Sequence, residues 1–324
     1  VASVDGGFVL GGITQGLGAY AGNADLLLVK IGGDGKVPSV WTFGGPQIDI
    51  GKALVPTSDG GSLQVGDSYG HLHTGMAYAV LGSKNRYLLL VKTDANGALQ
   101  WHKLYLAYVG DEARLSDMHS VLQAADGGYV FSGSVGMNPK SPDGRKGYYG
   151  DCLLVKTDAI GGVEWARSYG GVGADEAFSS TTVTASGYVL AGAHEPGRGA
   201  NVYEVLLLKT NVKGQLEWGK TFGGSGYNRA SMVIQTADGG YAIAGDTYEF
   251  GAGQSDVLLI KVGNKGQLQW AQTYGSARHE HAHSLLQAND GGFVIVGSTS
   301  RTNANKADAV ILTIDSDGNL IWAK

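Results

Sequence analysis

The hydrophobic pattern consists of short, strand-sized segments separated by glycine-containing turns. The stretch 232–271 shows four of them: Met232–Gln235, Tyr241–Ala244, Val257–Ile260 and Leu268–Ala271. The third segment is apolar at consecutive positions, which is typical of a strand buried on both faces. The fourth alternates, with Leu268 and Trp270 on one face and polar or small residues on the other, which indicates an outer strand with one wet face.

Tight turns join these segments in pairs. Asp238-Gly239-Gly240 connects the first two segments, and Asn264-Lys265-Gly266 connects the last two. Glycine supplies the positive φ that such hairpin turns need. The stretch is therefore predicted to form four antiparallel strands in sequential order.

This four-strand pattern recurs six times. A tryptophan closes each copy, at positions 41, 101, 165, 218, 270 and 322, and a DGG-type phrase (ASG in the fourth copy) precedes each second strand. Six such units predict an all-β fold, a six-bladed β-propeller with four antiparallel strands per blade. We expect residues 1–324 to form a single propeller domain, with blades at approximately 1–45, 46–108, 109–171, 172–224, 225–276 and 277–324.

Composition and charge exclude some classes of function. The 54 glycines are explained by the repeated hairpins. A net charge of −5 and a pI near 5.9 leave no basic stripe, so we expect no nucleic-acid partner. The longest apolar runs, such as Leu88–Val91, have the length of a strand, so we expect no membrane insertion.

The repeat resembles those of a known group of proteins. The pattern combines DGG(Y/F)xxxG with Dxh₃K (Asp, any residue, three apolar residues and Lys), followed by Gly, Trp and YGG or FGG. Examples are Thr221-Phe222-Gly223-Gly224 and Gly251-Ala252-Gly253 with Asp256. This pattern resembles the repeats of secreted or cell-surface β-propellers of bacteria and archaea, many without an assigned activity. The resemblance covers the whole chain and implies an extracellular or cell-surface location. The phrase from the third strand to Trp is also similar to quinoprotein-type repeats, but no site motif accompanies it, so we infer no cofactor from it.

Residues that recur in most copies are expected to be scaffold. The acidic residues that open the third strand are expected to accept backbone N–H groups (Asp25, Asp151, Glu204, Asp256, Asp308). The lysines that end this strand are expected to form a solvated rim (Lys30, Lys92, Lys156, Lys209, Lys261). The tryptophans are expected to pack between blades.

Residues that break the repeat are the candidates for function. The loops between the second and third strands vary, must emerge on one face, and carry candidate ligand-binding residues (Tyr69, Tyr78, Tyr148, Tyr149, His194, Arg198, Tyr248). Aromatic rings with scattered His and Arg suit recognition of a sugar or a peptide. The alternative is that these side chains only pack their own loops.

The connections between blades supply a second set, predicted to surround the mouth of a central channel (Asp49, Asp117, Asp175, Glu176, Arg229, Glu280). This set could bind a divalent cation, or water could satisfy it. Histidines at alternate positions in two segments could hold zinc or a related metal if a third ligand converges (His279, His281, His283; His71, His73). The alternative is a polar, partly buried histidine cluster.

Three hypotheses of function follow. The sequence contains no Gly-x-Ser-x-Gly elbow, Walker A loop or His-Glu-x-x-His helix, so we expect a non-catalytic extracellular binding or adhesion module for a glycan or surface protein. The second hypothesis is a carbohydrate-active hydrolase or lyase that uses acids and histidines at the channel mouth. The third is a structural subunit that self-assembles in a cell-surface assembly or filament.

Overall fold

The computed structural model describes most of the chain. The described residues are 1–2, 6–15, 24–45, 47–69, 87–105, 108–109, 112–113, 115–137, 150–171, 175–183, 186–197, 202–300 and 307–324, of which 108–109, 112–113, 115–116, 137 and 176–183 are described by their backbone alone. The chain divides into two compact units: residues 1–148 with 153–168, and residues 149–152 with 169–324.

The described strands form six sheets, which we call blades 1 to 6 in chain order, and one short pair. Blade 1 is β1 (Phe8–Gln15), β2 (Ala24–Ile31) and β3 (Ser39–Phe43); blade 2 is β4 (Asp49–Pro56), β5 (Ser62–Ser68), β6 (Tyr87–Thr93) and β7 (Leu99–Tyr105). The short pair is β8 (Tyr108–Val109) with β9 (Glu112–Ala113). Blade 3 is β10 (Leu115–Gln123), β11 (Tyr129–Met137), β12 (Asp151–Thr157) and β13 (Val163–Tyr169). Blade 4 is β14 (Asp175–Val183), β15 (Gly187–His194), β16 (Glu204–Thr210) and β17 (Leu216–Phe222). Blade 5 is β18 (Asn228–Gln235), β19 (Tyr241–Thr247), β20 (Asp256–Val262) and β21 (Leu268–Tyr274); blade 6 is β22 (His279–Gln287), β23 (Phe293–Ser300), β24 (Ala307–Ile314) and β25 (Leu320–Ala323).

Each blade pairs its strands in sequential, antiparallel order, so the predicted fold class, an all-β six-bladed β-propeller, is confirmed. Among the described residues, blade 1 has three strands where four were predicted. No helix occurs among the described residues, and therefore none there is long and apolar enough to cross a membrane. The hairpin turns follow the predicted chemistry: Gly239, between β18 and β19, has a φ of +79°.

A β-bulge in the first strand explains the glycine at the end of the DGG(Y/F)xxxG phrase. In blade 5 the register passes from Ala230↔Gly245 to Met232↔Ala244, so Ser231 has no partner. A Cβ at Gly245 would collide with the carbonyl oxygen of Arg229 in the neighbouring strand. The same shift occurs in blades 2, 3, 4 and 6. The glycine is therefore required by the bulge inside its own blade.

The apolar core lies between neighbouring blades of each unit. In the second unit one cluster joins Val189 and Leu207 of blade 4 to Tyr241 and Ile260 of blade 5, with Trp218 packed against it. The Trp218 ring lies 6.1 Å from that of Tyr241. The prediction that the tryptophans pack between blades is confirmed at this position.

A tyrosine four residues after the tryptophan ties a blade to the next hairpin. The hydroxyl of Tyr105 donates to the Gly161 carbonyl at 2.6 Å. The corresponding bonds run from Tyr169 to Gly214 at 2.6 Å and from Tyr274 to Gly318 at 2.7 Å. Blade 4 has Phe222 at this position, which lacks the hydroxyl.

The lysines that end the third strand are buried, so the predicted solvated rim is wrong for four of the five: Lys92, Lys156, Lys209 and Lys261. In blade 5 the Lys261 ammonium donates to Asp238 of the first hairpin at 2.8 Å and to the Val262 carbonyl at 3.3 Å. It also donates to Gln269 of the fourth strand at 3.1 Å. The lysine stem packs in the sheet while its ammonium closes a polar pocket at the hairpin end. We call this arrangement the lysine clamp.

Two sheets expose apolar side chains at positions that are buried elsewhere. Phe8 in blade 1 is 54% exposed, whereas its counterpart Tyr241 in blade 5 is 1% exposed. Blade 6 likewise exposes Val296 and Trp322.

Candidate functional site

A continuous row of rings crosses blades 4, 5 and 6 in the second unit, and we call it the aromatic row. It consists of Tyr203, Tyr227, Tyr248, His281 and His279. The successive ring centroids are 4.8, 5.4, 6.4 and 6.4 Å apart. The exposed side chain at its centre is Tyr248, which is 47% exposed.

Backbone hydrogen bonds between blades position these rings. Tyr203 and Tyr227 form a parallel bridge, and the Tyr248 N–H donates to the Tyr227 carbonyl at 2.9 Å. A second parallel bridge joins Ser255 to His279. The connections that enter blades 5 and 6 thus lie beside the loops between the second and third strands of blades 4 and 5, which is why residues distant in sequence line up.

A buried acid, Asp246, positions Arg229 and His281 at the aromatic row. Arg229 donates through Nε and Nη2 to Oδ2 of Asp246, both at 3.1 Å. The Nδ1 of His281 lies 3.2 Å from the same oxygen, and the Ala282 N–H donates to Oδ1 at 2.9 Å. Burial opposes ionisation of Arg229, but the Asp246 carboxylate outweighs it and raises the pKa of the guanidinium. The Arg229 guanidinium is thereby fixed at the edge of the row.

The three histidines of β22 lie on its less buried side, as the alternation predicted, with the buried Glu280 and Ala282 between them. The alternation of burial breaks between His283 and Ser284, at the bulge. His279 and His281 stack, with planes 11° apart, while Nε2 of His283 pairs with the Ser298 hydroxyl at 2.9 Å. Among the residues that the structure describes, no group of three or more His, Cys, Asp or Glu is placed to hold a metal ion.

Two other predicted residues meet in blade 4. Asp175 and His194 are register partners, and their Oδ1 and Nδ1 atoms are 2.5 Å apart. The second oxygen of Asp175, which is almost fully buried, accepts the Gly171 N–H at 2.9 Å. In blades 2 and 6 a serine or threonine occupies the histidine's position, as in the pair Glu280 and Thr299 at 3.0 Å.

This pair lines a cavity of about 340 Å³ that lies between residues 169–171 and blade 4. Its wall includes Tyr169 and Lys220. A further carboxyl, the half-buried Asp151, lies near Asp175. Burial raises the pKa of Asp151, and the charge of Asp175 adds to the shift.

The remaining acids at the start of the first strands are held by backbone and hydroxyl groups. Asp49 accepts the Gly45 N–H at 2.8 Å. Burial raises its pKa, hydrogen bonds from Ser68 and Gly45 lower it, and the charge of Asp25 raises it further. Glu280 accepts both the N–H and the hydroxyl of Ser276, at 3.2 and 2.7 Å.

In the first unit, Asp117 lies 3.7 Å from the Lys52 ammonium, which is also 3.8 Å from Asp67. Tyr69 is 42% exposed.

The acidic residues that open the third strand behave as predicted at Asp256, which accepts the Gly253 N–H at 2.9 Å.

Several predicted residues lie outside the described part of the chain: His71, His73, Tyr78, Tyr148, Tyr149 and Arg198. For Glu176 only the backbone is described.

Three residues of the row and its surroundings were not singled out by the sequence pattern: Tyr203, Tyr227 and Asp246. A signal for Asp246 was present, because only two of the six second strands, in blades 2 and 5, follow the repeat glycine with an acidic residue (Asp67 and Asp246).

Comparisons with known proteins support the fold. No family model matches the chain, and no curated protein matches its sequence. The puromycin hydrolase structure is similar with a TM-score of 0.57 at 16% identity over 99% of this chain, which spans 45% of that one. Sqt1 from Chaetomium thermophilum aligns at 14% identity with a TM-score of 0.47, over 98% of this chain and 68% of its own. At such identities the likeness to puromycin hydrolase shows the propeller fold alone.

Proposed function

We propose that the chain is a non-catalytic binding module, acting at the cell surface or outside the cell, whose aromatic row binds a glycan. The observation that carries the proposal is the continuity of the row, from Tyr203 to His279, beside a fixed guanidinium. Tyrosine and histidine rings offer apolar faces to the C–H groups of a sugar at low entropic cost, and their polar tips reach its hydroxyls. Arg229 adds hydrogen-bond donors at the edge, which favours a glycan that carries carboxylate groups.

A glycan array with the purified protein tests the proposal. Tyr248→Ala removes the exposed centre of the row, and we expect it to weaken binding of any array hit at least tenfold. Tyr69→Ala is the matched variant, because Tyr69 is similarly exposed but belongs to the first unit. Equal loss in both variants, or loss only in Tyr69→Ala, would refute the aromatic row as the site. An empty array together with specific retention of a surface protein would replace the glycan by a protein ligand.

The His194–Asp175 pair favours a second candidate function, a carbohydrate-active hydrolase. A buried carboxylate that fixes one imidazole nitrogen orients the ring for proton transfer through the other. The half-buried carboxyl of Asp151, with its raised pKa, adds a proton donor nearby. A reducing-end assay over polysaccharide substrates tests this function, with His194→Thr as the inactive variant because threonine is native at this position in blades 5 and 6. Activity that survives His194→Thr, or no activity on any substrate, would exclude it.

A further inference from the structure

The cavity beside His194 has a counterpart one blade further on. A groove of about 530 Å³ lies between the end of β17 and the outer two strands of blade 5. Its walls repeat the positions of the first cavity: Phe222 stands for Tyr169, Asn228 for Asp175, Leu258 for Leu206 and Ala271 for Gly219. The two cavities are therefore successive copies of one inter-blade groove. The residues that differ between them show which properties are specific to the groove at blade 5.

The second groove is larger and has no charged residue among the described residues of its wall, because Phe222, Asn228 and Gln272 stand where the first cavity has Tyr169, Asp175 and Lys220. Phe222 replaces the tyrosine that ties blades 2, 3 and 5 to the next hairpin, so no hydroxyl crosses to Gly266. Asn228 replaces an acid, which removes a carboxylate from the wall. Phe250, which is 47% exposed, lies in the same wall. The result is a groove with two phenyl rings, several aliphatic side chains and a volume within the range of small-molecule sites.

One polar atom in this wall lacks a partner. Asn228 is fully buried, and its Nδ2 donates to the Tyr203 carbonyl at 3.3 Å and to Glu249 at 3.2 Å. Its Oδ1 is buried and accepts no hydrogen bond from the described residues. A buried acceptor without a donor is costly, and a ligand that brings one donor gains from satisfying it.

We propose that this groove is a binding site for a small aromatic molecule that carries one hydroxyl or ring N–H donor, a phenol or an indole of two fused rings. The aromatic body lies against Phe222 and Phe250, and the donor bonds to Oδ1 of Asn228, whose amide must turn toward the groove because this atom is buried in the unliganded chain. The absence of a carboxylate among the described residues of the wall favours a neutral ligand over a cation. This site is separate from the aromatic row, because neighbouring residues of an extended segment point to opposite faces and the row includes Tyr227, directly before Asn228.

Two probes of nearly equal size test the site in the full chain. 2-Naphthol carries the donor, and 2-methoxynaphthalene lacks it. We expect titration calorimetry or naphthol fluorescence to show about tenfold tighter binding of 2-naphthol, since one hydrogen bond to a buried acceptor has a value of this order.

Variants taken from the chain's own repeats keep the test independent of folding. Phe222→Tyr restores the residue of blades 2, 3 and 5, and we expect at least tenfold weaker binding of both probes. Asn228→Ser installs the residue that blade 3 has at this position, Ser116, and we expect it to weaken 2-naphthol to the level of 2-methoxynaphthalene. Tyr69→Ala lies outside the groove, in the first unit, and we expect it to leave both affinities unchanged. Equal binding of the two probes by the native chain, or unchanged binding by Phe222→Tyr, would overturn the proposal. Failure of the glycan experiment would leave this result unaffected.

Discussion

Replacement of Lys261 by methionine tests whether the lysine clamp stabilises a blade. Methionine keeps most of the buried stem and removes the ammonium that binds Asp238, Gln269 and the Val262 carbonyl. The half-exposed ion pair contributes about 0 to 1 kcal/mol. The loss of a donor to the buried Val262 carbonyl costs about 1 to 3 kcal/mol. We therefore expect a total loss of about 2 kcal/mol in the free energy of unfolding.

Thermal unfolding followed by tryptophan fluorescence is the assay. A loss of about 2 kcal/mol lowers the midpoint by roughly 4 to 8 °C in a unit of this size. Lys265→Met is the matched control, because Lys265 lies in the hairpin turn that follows the same strand and its side chain is exposed. Loss of a solvated lysine changes stability by no more than about 0.5 kcal/mol. Equal midpoints for the two variants would refute the clamp.

The clamp also has a pH signature. Burial opposes ionisation of Asp238, but its bonds to Lys261, Thr236 and Gly240 prevail and lower the pKa from 3.8 to about 2. A carboxyl group whose pKa is lowered by folding stabilises the fold at pH values above its ordinary pKa. This contribution is lost as the pH falls from about 4 to about 2. Because Asp238 is half exposed, screening limits the contribution to about 1 kcal/mol. We expect the difference between native chain and Lys261→Met to shrink over this interval.

Three further changes test other parts of the fold by the same thermal assay. Tyr274→Phe removes the hydroxyl that binds the Gly318 carbonyl and should cost about 1 kcal/mol, whereas no change would show that this tie is dispensable. Gly245→Ala should cost more than about 3 kcal/mol because the bulge leaves no room for a methyl group, while Gly12→Ala, with open space around it, should be near neutral; similar losses in both would contradict the role assigned to the bulge. The pKa of Asp49 is raised in the folded chain, so its carboxyl group destabilises the fold once the pH rises through that pKa. The midpoint of Asp49→Asn relative to that of the native chain should therefore be higher at pH 7 than at pH 4. A lower relative midpoint at pH 7 would refute that sign.

Strand order and hairpins could be predicted from the sequence because they depend on local pattern. The alternation of apolar and polar residues around Trp270 and the turn at Gly239 both reflect interactions within a few residues. The limit of the pattern is visible between His283 and Ser284, where one inserted residue in the strand interrupts the alternation of buried and exposed side chains. A bulge of this kind leaves no signature in the composition of its own strand; it becomes visible only through the glycine opposite.

The candidate site could be predicted only in part, since it depends on contacts between distant segments. Tyr248 and Arg229 were identified because they break the repeat. Their partners Tyr227 and Asp246 were not, because a tyrosine near a glycine and an acid in a strand are common in chains that have no such site. The prediction of a solvated lysine rim was wrong for a related reason. A recurring charged residue at a strand end is usually solvated, whereas the burial of Lys261 depends on three acceptors supplied by separate turns and strands.

The sequential pairing within each blade has a kinetic consequence. Every described sheet of a blade joins strands that follow one another along the chain, so most hairpins close a short loop at little entropic cost. For an all-β protein this gives a low contact order inside the blade and leaves only the packing of one blade on the next as a longer-range event. During synthesis a finished blade can acquire its hydrogen bonds before the next has left the ribosome, and the slow step is then the docking of apolar faces such as those around Tyr241.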